Sequence, residues 1–162
     1  MALTKVTGEG VGAVTNQFSS ANMPAGHILQ TVTATSSTAN ATSSTSWVAT
    51  SVTVTITPSS TASKILILHQ GVLNKQSINS WQWFTLYRGS TNLAAGGSAD
   101  AMGGMYTNAS SDSHLPVTIN HLDSPSTASA VTYQVYQKVQ SGAARYNGDS
   151  FKLTITAIEI KG

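Results

Sequence analysis

A strict alternation of apolar and hydroxyl residues at residues 52–57 constrains the fold more than any other feature of the sequence. One parity is apolar and the other carries threonines: Val52, Val54 and Ile56 against Thr53, Thr55 and Thr57. Successive side chains of a β-strand point to opposite faces, so a period of two predicts a strand with one buried face and one wet face. Pro58 follows and ends the pattern, since proline cannot donate to a strand ladder.

Further segments with strand patterns recur along the chain and are separated by Gly, Pro, Ser and Asn. We predict about eight strands and no helix, with the clearest at residues 27–34, 47–57, 64–73, 81–88, 115–122, 130–139 and 151–161. Two long irregular stretches interrupt them, at residues 35–46 and 96–113. The fold class is therefore predicted to be all-β, an antiparallel β-sandwich or jelly roll.

Two strands raise the question of what covers their outer faces. The continuous apolar run that begins at Ile65 suits a central strand covered on both sides. In the last strand, Phe151 to Ala157 alternate, but Ile158 and Ile160 fall on the opposite parity. Either a bulge near Ala157 resets the faces, or both faces are covered and this end lies at a subunit interface.

Charge is scarce, and this excludes several classes of protein. Lys, Arg, Asp and Glu together number 14 in 162 residues, whereas Ser and Thr number 23 and 22. Too few charges are present to solvate several amphipathic helices. The basic residues are scattered rather than clustered, so we predict no nucleic-acid binding. No apolar run approaches the ~20 residues of a membrane span, so no membrane insertion is expected.

The first 26 residues differ from the rest, since they are rich in glycine and poor in bulky apolar residues. We predict an extended N-terminal arm at residues 1–26 and a β-sandwich domain at residues 27–162. A disordered terminus is the alternative to an arm that orders against a neighbouring subunit. The candidate attachment residues are the large apolar side chains of the arm: Val6, Val11, Val14, Phe18 and Met23.

Aromatic residues near loops are the candidates for surface recognition, because an aromatic face combines broad apolar contact with a polar edge. Trp81 follows a polar loop, and Tyr106 and Tyr146 are predicted within loops. Packing is the alternative for both tyrosines. The neighbouring aromatics of the same strand are predicted in the core: Trp83, Phe84 and Tyr87.

Catalytic constellations are missing. Asp100 and Asp112 share one long loop and are candidates both for recognition and for a glycosidase pair. The four histidines, His27, His69, His114 and His121, lack metalloprotease spacing and are predicted on the surface or in loops. No cysteine is present, which removes disulfides and thiolate metal sites. We therefore expect a protein that is not an enzyme and that uses no cofactor or metal.

Several segments together resemble the C-terminal β module of bacteriophage tail fibre proteins of the marine phage and cyanophage type. The resemblance rests on residues 56–67, with a Thr-Pro-Ser-Ser turn before an apolar strand opened by Lys, on residues 86–90 and on residues 153–160. Residues 3–8 and 23–30 resemble the segment that precedes the module in longer fibres. The resemblance implies a homotrimer. It departs from those fibres in having only about 26 residues before the module.

Three functions follow from these observations. The first is a phage virion structural protein, a short trimeric tail fibre or spike whose loops meet a host-surface glycan. The second is a capsid decoration protein that stabilises the head, and the third is a small polysaccharide hydrolase. Expected partners are further copies of the chain and a tail, baseplate or major capsid protein. Without a signal peptide, such a protein would be made in the bacterial cytoplasm and located in the virion.

Overall fold

The computed structural model describes residues 23–75, 79–108 and 113–162, and in these ranges the chain is built from strands with no α-helix. The strands are β1 (Ile28–Ser36), β2 (Asn40–Thr42), β3 (Val48–Ile56), β4 (Lys64–Lys75), β5 (Ser80–Arg88), β6 (Thr91–Asn92), β7 (Gly103–Thr107), β8 (Ser113–Asp123), β9 (Val131–Val139), β10 (Ala144–Tyr146) and β11 (Leu153–Ile160). A short 3-10 turn spans Ser98–Asp100. The predicted all-β class is confirmed.

The strands form two antiparallel sheets. The first sheet has the order β1-β11-β4-β8, and the short strands β2 and β10 lie beyond the ends of β1 and β11. The second sheet has the order β3-β9-β5-β7, and β6 pairs with the far end of β5 on the side of β7. Each sheet is thus four strands wide.

The connectivity is that of a jelly roll. Counted in chain order, the long strands of the described residues fall as first, eighth, third and sixth in the first sheet. In the second sheet they fall as second, seventh, fourth and fifth. Strands from the two ends of the chain therefore pair, as when Thr31 of β1 faces Ile158 of β11. This winding is the two-sheet solution that covers both inner faces.

The core lies between the sheets and is formed by the inward parity of each strand. It is apolar over most of its length: Val52, Val54, Ile56, Ile65, Ile67, Leu86, Val135, Leu153 and Ile155 are all at most 2% exposed except Leu153 at 6%. The predicted alternation of β3 is confirmed. β4 is central, as predicted, but within the chain only its inner face is covered, since Leu68 on the outer face is 36% exposed.

The alternation of β11 continues without a reset, so the first alternative, a bulge near Ala157, is wrong, and the second, a covered outer face at a subunit interface, stays a prediction. Ala157 and Glu159 point inward and are fully buried. The irregularity lies in the partner strand, between Ile28 and Gln30. Glu159 thus closes one end of the core with a carboxylate.

Hydrogen bonds from a turn satisfy the buried Glu159 carboxylate. One oxygen accepts from the Ser59 amide at 2.7 Å and from the Ser59 and Ser63 hydroxyls at 2.6 Å each; the other accepts from Gln30 Nε2 at 2.6 Å. Burial alone would raise the pKa of the Glu159 carboxyl, but these donors outweigh it and hold the pKa below its ordinary value of 4.5. The turn predicted after β3 therefore anchors the end of the chain.

We expect Glu159→Gln to lower the free energy of unfolding by about 2 kcal/mol at neutral pH, because hydrogen bonds to a charged acceptor are lost. A carboxyl whose pKa is lower in the folded state stabilises above its unfolded pKa, and this contribution disappears as pH falls through the folded pKa. Denaturant unfolding at a series of pH values should show wild type converging on the variant in acid. A gap that stays constant from pH 7 to pH 2 would contradict this account.

The end of the predicted arm that is described contacts the C-terminus. The Gly26 amide donates to the Lys161 carbonyl, the Lys161 amide donates to the His27 carbonyl, and Lys161 Nζ donates to the Met23 carbonyl. Val6, Val11, Val14 and Phe18 lie outside the described residues. The boundary between arm and domain stays a prediction. No helix in the described part of the chain is long and apolar enough to cross a membrane.

Candidate functional site

The outer face of β5 carries a row of aromatic side chains. Gln82, Phe84 and Leu86 point into the core, so the opposite parity, which includes Trp81 and Trp83, must point outward. β5 lies between β9 and β7, and this places its outward side chains over the middle of the second sheet.

Two rings of this row and one ring of β7 form a partly exposed ledge, which we define as Trp81, Trp83 and Tyr106. The indoles of Trp81 and Trp83 lie 6.0 Å apart between centroids at an interplanar angle of 6°. Tyr106 of β7 faces Trp81 in register, with centroids 5.4 Å apart and planes at 51°. Trp81 is 40% exposed and Tyr106 49%, whereas most large aromatic side chains are covered in folded proteins.

Two glycines of β7 open a groove beside the ledge. A Cβ on Gly104 would lie 2.7 Å from Trp83 Cδ1, and one on Gly103 would lie 2.8 Å from the Phe84 ring. Gly104 therefore permits β7 to pass close to the outer aromatic row, and Gly103 permits its close approach to Phe84 in the core. The resulting groove has a volume of about 390 Å³ and is lined by Trp81, Trp83, Ser98, Ala99, Ala101, Gly103 and Gly104.

Lys138 of β9 connects the ledge to the opposite wall of the groove, which is formed by the loop at residues 98–101. It pairs with Trp83 across the sheet, and its Nζ lies 5.4 Å from the Trp83 ring centroid and 4.5 Å from that of Trp47. The same Nζ donates a hydrogen bond to the Ala99 carbonyl at 2.9 Å. A cation over aromatic faces is attracted by their quadrupoles, so Lys138 holds the loop against the rings.

The wall itself contains two residues in the left-handed region. Ala99 has φ 56° and Asp100 φ 52°, a conformation that costs non-glycine residues energy. Hydrogen bonds hold it in place: the Gly96 amide donates to Asp100 Oδ1, and Asn92 Nδ2 donates to the Asp100 carbonyl, each at 2.8 Å. Asp100 thus shapes the wall, while its neighbours Ser98, Ala99 and Ala101 line the groove.

The structure brings together some of the residues predicted for recognition and separates others. Trp81 and Tyr106 are adjacent, and Asp100 lies in the neighbouring wall. Tyr106 was predicted in a loop and lies instead in β7, but it is exposed. Asp112 lies outside the described residues.

The assignment of Tyr146 to a recognition loop is wrong. Tyr146 lies in β10 and is fully buried. Its hydroxyl donates to His69 Nε2 at 2.8 Å, and His69 Nδ1–H donates to the Thr154 carbonyl at 2.7 Å, which fixes the neutral tautomer. Burial raises the pKa of Tyr146 and lowers that of His69. His69, predicted on the surface or in a loop, is therefore an interior residue.

Two aromatics predicted in the core lie on the outer face instead. Phe84 is buried, but Trp83 and Tyr87 are half-buried on the wet side of β5. Tyr87 stacks on Tyr136 of β9 with centroids 4.0 Å apart. Lys138 was not predicted as a site residue, although the alternation of β9 places it on the outer face.

The carboxylates of the described residues have structural partners. Asp123 accepts two hydrogen bonds from Arg88 and one from the buried Tyr133 hydroxyl. Asp149 contacts His114 and Asn74. In the described ranges, no three His, Asp or Glu side chains are grouped to hold a metal ion.

The chemistry available at the groove is stacking with polar contacts at the margin. An exposed indole and phenol present apolar faces, the Tyr106 hydroxyl is accessible at the edge, and the wall offers backbone groups and the Ser98 hydroxyl. Such a surface suits a ligand with one flat C–H-rich face and several hydroxyls, which describes a pyranose sugar.

Comparisons with known proteins returned structural similarity only. No protein-family model matches the sequence, and no curated protein matches it. Solved structures with a similar arrangement include the infectious bursal disease virus Gt strain, at 10% identity and TM-score 0.46 over 83% of this chain and 39% of that chain. T=1 particles derived from the same virus match at 10% identity and TM-score 0.43, over 83% and 37%. The chain spans less than two fifths of the length of these structures, and at such scores the likeness concerns the arrangement of strands alone.

Proposed function

We propose that this chain is a virion structural protein, a short tail fibre or spike module of a bacteriophage that recognises carbohydrate on the host surface. The observation that carries the recognition part is the exposed ledge of Trp81 and Tyr106 beside a groove whose wall is fixed by Lys138. An aromatic ledge left exposed on the outer face of a sheet loses apolar burial, and ligand binding would recover it.

The virion assignment rests on the sequence resemblance to the fibre module and on the jelly-roll winding, an architecture used by capsid and lectin domains. The resemblance also implies a homotrimer. The proposal assigns no catalytic activity to the chain, and it is supported by the carboxylates of Asp100, Asp123, Asp149 and Glu159, each of which accepts a hydrogen bond within the fold. Capsid decoration is the second candidate, favoured by the central rows of the first sheet's outer face, which carry no charge and suit attachment to a shell.

Immunoelectron microscopy of purified particles tests the virion assignment. We expect an antibody against the chain to label intact particles at the tail or its tip, because a recognition module must be exposed. Labels spread over the head would support the decoration role instead. Purified particles that carry no label, while the infected cell does, would contradict a virion role of either kind.

A further inference from the structure

The outer face of the first sheet is free of charge over its central rows. Twelve outward positions of β1, β11, β4 and β8 lie in three consecutive rows of paired residues. Six are threonines, four are aliphatic and two are amides: Thr31, Thr33, Thr35, Thr154, Thr156, Thr118; Ile158, Leu66, Leu68, Leu122; Gln70, Asn120. An antiparallel sheet that faces water normally carries polar and charged residues there.

Large apolar side chains protrude from this face or its borders. Leu122 is 52% exposed, Phe151 53% and Leu68 36%. Beside them lie two shallow grooves: one of about 290 Å³ around Leu68, Gln70 and Thr154, and one of about 270 Å³ around Gln70, Pro116 and Phe151. The face therefore presents both protrusions and hollows.

We propose that the outer face of the first sheet is the surface through which copies of this chain associate, with Leu122 of one copy entering the groove beside Pro116 and Phe151 of the next. The inference rests on the self-association in the proposed function, and it adds the surface. Association and carbohydrate recognition would then use opposite sides of the sandwich, since the recognition groove lies on the second sheet.

The size of the face matches what a stable contact needs. Four strands spaced ~4.8 Å apart, and a β4 of 12 residues at ~3.4 Å each, span roughly 780 Å², and the three charge-free rows form about half of that area. A standard interface covers about 800 Å² on each partner. The depletion of charge also matches the cores of interfaces.

A further copy of the chain is the occupant that this chemistry favours. A charged partner would find no opposite charge in the central rows, since Lys64 and Lys152 lie at their borders, and identical central rows meet no like charge. Threonine hydroxyls both donate and accept, so facing threonines can pair with one another. Protrusion and groove occur on the same face, so each copy supplies both halves of the contact.

Sedimentation velocity of the full chain tests this surface. We expect wild type to sediment as an oligomer and Leu122→Lys to weaken association at least ten-fold, because an unpaired ammonium would enter an apolar contact. Val48→Lys is the matched control: Val48 is 37% exposed on the second sheet, and its substitution should leave association unchanged. Circular dichroism verifies that both variants fold, as expected for exposed positions.

A second variant tests the pairing itself. Adding Thr118→Glu to Leu122→Lys should restore association, since position 118 borders the groove of the next copy. Within one chain the two positions lie ~13 Å apart, beyond the ~8 Å screening length at physiological salt. Monomeric wild type would overturn the proposed self-association as a whole. An oligomer unaffected by Leu122→Lys would overturn only the surface, and a double variant that stays dissociated would overturn the docking of Leu122 in the groove.

Discussion

Gly71→Ala is expected to lower the free energy of unfolding by about 3 kcal/mol or more, at the upper end of what overpacking a core costs. A Cβ at this position would lie 1.9 Å from the Tyr146 hydroxyl oxygen and 2.5 Å from Cζ of the same ring. Both separations are far inside van der Waals contact, so either the ring or strand β4 has to move.

Neither the Tyr146 ring nor strand β4 can move without a large cost in free energy. Tyr146 is fully buried and its hydroxyl is held by His69, whose other nitrogen is held by the Thr154 carbonyl. β4 is paired on both sides, with β8 along its whole length and with β11 and β10 along the other edge. Displacing the ring would leave His69 Nε2 without its donor in the interior.

Thermal and denaturant unfolding measure this effect, which corresponds to a fall of roughly 10 °C in Tm for a domain of this size. Gly97→Ala is the control, because Gly97 is exposed and the contact of its Cβ with the Ala94 carbonyl oxygen, at 3.2 Å, is relieved by a shift of a few tenths of an ångström. Tyr146→Leu should make Gly71→Ala less costly than in wild type by at least about 1 kcal/mol. Wild-type stability of Gly71→Ala, or strict additivity in the double variant, would contradict the contact.

The fold class was predictable because the alternation of buried and exposed side chains along a strand depends only on neighbouring residues. The alternation of Val52, Val54 and Ile56 follows from one buried face, whatever strand lies beside it. The winding was not predictable, because partners come from opposite ends of the chain. Thr31 pairs with Ile158, and the residues near either one in the sequence do not indicate this partner.

The burial of polar residues was not predicted from the sequence, for a related reason. Tyr146 lies just before an Asn-Gly turn and looks like part of a loop, but its hydroxyl finds His69 from a strand far away in sequence. Glu159 occupies a core position only because Ser59, Ser63 and Gln30 converge on it. A carboxylate or phenol can be buried when distant donors satisfy it, and a single sequence does not show those donors.

The candidate site was predicted in part. Trp81 and Tyr106 were chosen because they lie near loops, and they are adjacent and exposed on neighbouring strands. The parts that make them a groove depend on tertiary contacts. These are the close approach of Gly104 in β7 to Trp83 and the hydrogen bond from Lys138 to Ala99.

Trp81→Ala is expected to weaken carbohydrate binding by about 2 kcal/mol, which is roughly thirty-fold in Kd. Removal of the indole takes away one of the two most exposed rings of the ledge and one neighbour of Tyr106. Stability should change little, since Trp81 is 40% exposed and the core residues beneath it are unaltered. Leu115→Ala is the matched control, a truncation of a side chain 38% exposed on the opposite sheet.

Carbohydrate recognition by the outer face of the second sheet is tested with an array of bacterial surface oligosaccharides, probed with wild type, Trp81→Ala and Leu115→Ala. We expect wild type and Leu115→Ala to bind the same pyranose-containing members of the array. We expect Trp81→Ala to lose that binding while remaining folded. Wild type that binds no member of the array, or Trp81→Ala that binds as tightly as wild type, would contradict carbohydrate recognition by this face.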